Sequence, residues 1–159
     1  MKKFKIEIKW ALLFVLMMLA WMVLEKSLGY HDAKIADHPV FTNFVAIPSI
    51  VIYVFALLDK KKNYYYGLMS YKQGFISGVI ISVIVAVLSP LTQYITTEFI
   101  TPEYFLNVIE YAVSQGEMTQ EEAESYFNLK SYIVQSVIGA LLMGTVTSAI
   151  VAIFVKSKR

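Results

Sequence analysis

No cysteine occurs in the 159 residues. Disulfides, thiolate metal sites and cysteine nucleophiles are excluded, while the redox compartment stays open. Histidine is nearly absent too, with two residues, His31 and His38, and neither lies in a long apolar run. Charge is scarce at 16% of residues, against about 25% in soluble domains. The centres of the longest apolar runs carry no ionisable residue, and Glu25, the nearest, sits at the end of one. An ionisable group inside a span is the usual mark of a transport site, so an ion-coupled carrier would lack its charged relay. Catalytic signatures are missing as well: no Gly-x-Ser-x-Gly, no phosphate-cradling Gly-rich loop, no His-Glu-x-x-His. A nucleophile needs a general base beside it, and no span offers one. No enzymatic activity, catalytic residue or cofactor is expected.

What the chain has in excess is apolar surface in blocks: 57% of residues are hydrophobic, and mean hydropathy is +0.58. Four blocks approach the roughly 20 residues that cross a bilayer. The fold class expected is an all-α integral membrane protein, a single domain over 1–159. Its four transmembrane helices fall at about 8–28, 40–58, 74–95 and 132–155. The first block follows a basic start and competes with a signal peptide. No small-x-small cleavage site follows Leu24, so a retained helix is expected. Pro48 falls inside the second block and should kink it, with Thr42, Asn43 or Ser49 placed to satisfy the freed backbone.

The third and fourth blocks carry stripes of small residues at every fourth position. One runs Gly74, Gly78, Ser82, Ala86 and Pro90; the other runs Ser136, Ala140, Gly144, Ser148 and Ala152. Small residues at this spacing let apolar helices approach closely in lipid. The two helices are antiparallel neighbours in sequence, so the stripes most simply pack on each other within one chain. Gln93 and Gln135 lie near the matching ends and are candidates to face each other. Serine and threonine hydroxyls in the spans read as packing groups that back-bond to their own helix.

Between these helices, 96–131 is acidic and polar, and is expected as an amphipathic helical insertion lying on the membrane. Thr101 with Pro102 suggests a helix start, and Phe105, Val108, Ile109 and Ala112 one apolar face. Gly116 suggests a stop, and Thr119 with Glu122 a capping box. Glu117, Glu121, Glu122 and Glu124 read as a solvated face, with no EF-hand spacing. The loop 25–39 holds His31-Asp32 and Asp37-His38. Such groups can bind a divalent ion, but the spacing matches no established ligand pattern, so they read as polar surface residues and no metal ligand is assigned. Lys60, Lys61 and Lys62 with Tyr64, Tyr65, Tyr66 and Tyr71 read as a membrane-interface anchor rather than a nucleic-acid patch.

Basic residues sort by side. Eleven of the fourteen precede the first block, separate the second from the third, or follow the fourth; only Lys26, Lys34 and Lys130 fall elsewhere. The positive-inside rule then places both termini in the cytoplasm and both long polar connections outside. Expected partners are the lipid bilayer and a protein partner or second copy, with no nucleic acid.

YKQGFISG entering a span, then LSP, FITPEYF, an acidic EEAESYF and SYIVQSVIGALLMGTVTSAIVAIFVKSKR form an ordered series. In it the chain resembles the bacterial multi-pass membrane proteins grouped as domain of unknown function 4199. The resemblance implies a small integral protein of the bacterial inner membrane and assigns no functional residue. The functional expectation is a structural or accessory subunit of a membrane assembly, with a small solute transporter or channel as the alternative.

Overall fold

A computed structural model describes residues 4–157; Lys2, Lys3, Lys158 and Arg159, used above for sidedness, lie outside the described residues. Seven α-helices and no strand occur among the described residues. α1 spans Lys5–Ser27, 23 residues and about 34 Å long. Gly29, at φ 84°, ends it. Its N–H bonds the Lys26 carbonyl (2.9 Å) and the Tyr30 N–H bonds that of Glu25 (3.0 Å). A left-handed glycine with these two crossed bonds is a Schellman stop.

The second block is helical from Ile35 to Asn63 but not uniform: a 3-10 turn (Ile35–Asp37), α2 (His38–Phe41), a 3-10 turn (Thr42–Val45) and α3 (Ala46–Asn63). The second tight turn directly precedes Pro48, which has no N–H for the Phe44 carbonyl. Ser49 donates to the Val45 carbonyl and the Asn43 amide to that of Pro39, both at 2.7 Å. α4 (Tyr71–Ile95) starts from a capping box between Ser70 and Gln73 and runs through Pro90. It continues as a wider π-type turn over Thr96–Ile100. α7 (Leu129–Val155) starts at Asn128, whose side chain accepts from the Ser131 N–H at 2.9 Å.

α4 and α7 make the most extensive contact; α1 and α7 stand apart, each touching both α3 and α4. Gly74 lies against Ala152, Gly78 against Ser148 and Gly144 against Ser82, so a step of four along α4 matches a step of four back along α7. A Cβ on Gly78 would stand 2.6 Å from that of Ser148, and one on Gly144 2.7 Å from both the Ser82 Cβ and the Tyr53 hydroxyl. Only hydrogen fits there. Ala86 is buried along the same line, Ala140 packs at the core edge, Ser136 is half-buried and Pro90 is exposed. The seam is thus tightest in the half nearer the termini. Its hydroxyls satisfy themselves: Ser82 bonds the Gly78 carbonyl (3.0 Å) and Ser148 that of Gly144 (2.6 Å), while Tyr53 shares a bond with Ser82 (2.8 Å). Gln93 and Gln135 make no hydrogen bond to each other.

The ends differ. At the end holding the start of α1, the turn after α3 is stitched to the end of α7. Lys61 donates to the Val155 carbonyl (2.9 Å), the Ser157 N–H to that of Met69 (2.8 Å), and the Ser157 hydroxyl to that of Gly67 (2.9 Å). At the other end α5 (Tyr104–Ser114) and α6 (Gln120–Tyr126) fold over the bundle. Thr101 does not cap α5 with its side chain; its carbonyl accepts from the Tyr104 N–H instead (3.2 Å). The buried face of α5 is centred on Tyr104, Val108 and Ala112, with Phe105 and Ile109 half-buried. Gly116, at φ 71°, ends it, and Thr119 with Glu122 forms the expected capping box for α6.

Candidate functional site

Two charged clusters are buried, one at each end of α1. At the terminal end Glu7 and Lys60 are almost fully enclosed. The Lys60 ammonium stands 2.8 Å from Glu7 Oε1 and 3.0 Å from Oε2, Ser77 donates to Oε1 at 2.8 Å, and the Tyr64 ring lies 3.7 Å from the ammonium. Lys60 is therefore not an interface anchor: one turn of α3 carries it into the core, where a carboxylate neutralises it. Such a pair is worth little net stability but is costly to break, because either charge left alone stays buried.

At the opposite end the Schellman stop at Gly29 turns the chain back over its own helix. His31 returns above Glu25, and the 3-10 turn before α2 swings His38 in from the other side. His31 Nε2 lies 3.2 Å and His38 Nε2 3.3 Å from the same oxygen, Glu25 Oε2. The other oxygen accepts from the Trp21 indole at 2.6 Å. The two imidazoles stand edge to face, centroids 5.0 Å apart. Tyr104 on α5 closes the group: its hydroxyl is 3.1 Å from His38 Nδ1 and 3.3 Å from the Tyr132 hydroxyl. The Asn107 amide donates to the His31 carbonyl at 2.9 Å and holds the loop under α5. Burial, with Tyr132 alongside, pushes the Tyr104 phenol above its ordinary value, so it keeps its proton.

His31 and His38 are not surface groups as the loop composition suggested: His31 is 4% exposed and Glu25 0%. Asp32 and Asp37 stay outside, exposed; Asp32 accepts from the Ala33 N–H. Glu117, Glu121, Glu122 and Glu124 are exposed. The stripe hydroxyls of Ser82, Ser136 and Ser148 bond within their own helices and not to this cluster. The sequence pointed to the loop but not to its third member. The signal was there, in that the chain's only two histidines follow a glutamate that closes an apolar run.

The two carboxylates face different partners. Glu7 has its lysine, whereas among the described residues no lysine or arginine pairs with Glu25. Lys26, its neighbour, reaches away to the Ile100 carbonyl. One further group is unmatched: His31 Nδ1 is buried with no partner. A buried polar atom in that condition costs about 1–3 kcal/mol.

The fold and site define a class: an all-helical bundle with four helices long and apolar enough to cross a membrane, closed at one end by a buried Glu–His–His group. The chain belongs to the family described as Protein of unknown function (DUF4199), whose profile matches residues 9–157. That match takes in Glu25, His31, His38 and Tyr104. No curated protein and no solved structure matches the chain.

Proposed function

We propose that the chain is a four-span protein of the bacterial cytoplasmic membrane, with both termini in the cytoplasm, that serves as a structural or accessory subunit of a membrane assembly. The observation carrying this reading is where the apolar surface lies. The interior is filled by the α4–α7 seam with Ala11 of α1 and Tyr53, Ala56 and Leu57 of α3, and large side chains on all four long helices face outward, among them Leu16, Ile47, Val87 and Phe154 (81% exposed). Such a surface suits lipid and a flat helical partner, either another protein or a second copy. Sidedness rests on the basic residues. The insertion 96–131 then lies on the outer face, with α5 turned apolar side down. Nucleic acid is no partner in this reading, since Lys60 and Lys61 of the basic stretch are engaged internally.

The alternative, a small solute transporter or channel, has one observation in its favour. Glu7 and Glu25 are 18 residues apart, five full turns, so both point from one face of α1 about 27 Å apart. Buried Ser82 and Ser89 line the core between the helix ends.

Photocrosslinkers placed at Ile47 and Phe154 in native membranes separate the two. Discrete protein adducts, dimer or heteromer, are expected, with no solute flux by the purified chain in proteoliposomes. Lipid adducts alone, together with flux by a monomer, would defeat the accessory role.

A further inference from the structure

We propose that Glu25, His31 and His38 form a binding site for one divalent transition-metal ion of the zinc class. The three side chains offer one carboxylate and two imidazole ligand atoms within 4.8 Å of one another. Zinc takes imidazole nitrogen and carboxylate oxygen at about 2.0–2.2 Å in tetrahedral array, which sets neighbouring ligand atoms roughly 3.3 Å apart. The two nitrogen–oxygen separations here are 3.2 and 3.3 Å. The geometry therefore matches one edge of a tetrahedron from each histidine to the carboxylate.

Two further features point the same way. Glu25 and His31 are buried, and the carboxylate lacks the lysine that its counterpart Glu7 has, so a cation at the centre supplies a fixed positive charge beside it. The second layer is of the kind that orients metal-bound histidine. Tyr104 stands on His38 Nδ1, the nitrogen facing away from Glu25, and can accept its N–H while donating its own O–H to Tyr132. Trp21 fixes the second carboxylate oxygen and Asn107 the His31 backbone. With one imidazole nitrogen available on each histidine, two donors and a carboxylate leave a fourth position for water. The ligand types fit zinc, cobalt, nickel or copper better than calcium or magnesium, which take oxygen sets. The site holds whichever side of a membrane it faces.

The test uses the full chain, purified in detergent and stripped with a chelator. Zinc chloride is titrated calorimetrically, and cobalt chloride follows by visible absorption. About one ion per chain is expected, with cobalt bands of tetrahedral intensity. His38→Ala and Glu25→Gln should abolish saturable binding, whereas Tyr104→Phe weakens it by about 10–100-fold. Asp32→Asn with Asp37→Asn, which lie in the same loop outside the group, should leave it unchanged. Absence of saturable zinc binding by the wild-type chain overturns the proposal. So does binding that survives His38→Ala, or that falls in the aspartate variant instead. Should His38→Ala fail to fold, the cobalt spectrum of the wild-type chain decides, and weak octahedral bands with no nitrogen ligation overturn it.

Discussion

Gly78 and Gly144 sit where a single added carbon collides with the facing helix, and Gly139, on the same helix as Gly144, faces open space. Gly78→Leu and Gly144→Leu should each destabilise the fold by about 1–3 kcal/mol through overpacking, read as a lower melting temperature in detergent. Gly139→Ala should leave it as stable or slightly more so. Equal loss at all three would mean that the stripes act through glycine content rather than contact. A second prediction concerns the Glu7–Lys60 pair. Glu7→Gln leaves the ammonium buried without its counter-charge and should cost about 3–5 kcal/mol. Glu7→Leu combined with Lys60→Met should restore most of that, because both desolvated charges leave together. These residues were poorly legible in the sequence. Glu7 and Lys60 look like ordinary flanking charges, since burial of a group at a helix end depends on what folds over it, and that is tertiary information.

Helices were the legible elements. Apolar blocks of this length have few alternatives, and the four long helices appear where composition puts them. Ser70 with Gln73 and Asn128 extend α4 and α7 toward their N-termini, and Ser-x-x-Gln before an apolar run was readable. The surface helices were legible through Gly116 and the Thr119 box. The start of α5 was not: Thr101, at φ −141° and ψ 66°, leaves helical geometry, and α5 begins only at Tyr104. Glu122 yields a prediction at this scale. The Thr119 backbone N–H, followed by the Thr119 hydroxyl, holds its carboxyl below the ordinary value of 4.5. A lowered folded value means the cap supports α6 in full above that pH and is lost as pH falls through the lowered value. Protection factors in α6, exchange rates divided by the intrinsic rate at each pH, should therefore fall on acidification in the wild-type chain. In Glu122→Ala they should already be low at neutral pH, and pH-independent protection in the wild-type chain would count against the cap.

At the scale of the whole molecule, α1 joins two unlike ends. One is neutralised internally by lysine and stitched to the end of α7. The other is covered by α5 and α6 and holds a carboxylate between two histidines. Basic residues crowd the first end and acids the second, the pattern from which sidedness is proposed. The absence of cysteine makes that proposal directly measurable, since any cysteine introduced is the only one in the chain. Lys34→Cys, Lys62→Cys and Gln115→Cys place single thiols at exposed positions on the loop before α2, at the end of α3 and after α5. A membrane-impermeant maleimide applied to intact spheroplasts should label positions 34 and 115 and should reach position 62 only after permeabilisation. Labelling of 62 in intact spheroplasts, with 34 and 115 protected, would contradict the four-span arrangement with cytoplasmic termini.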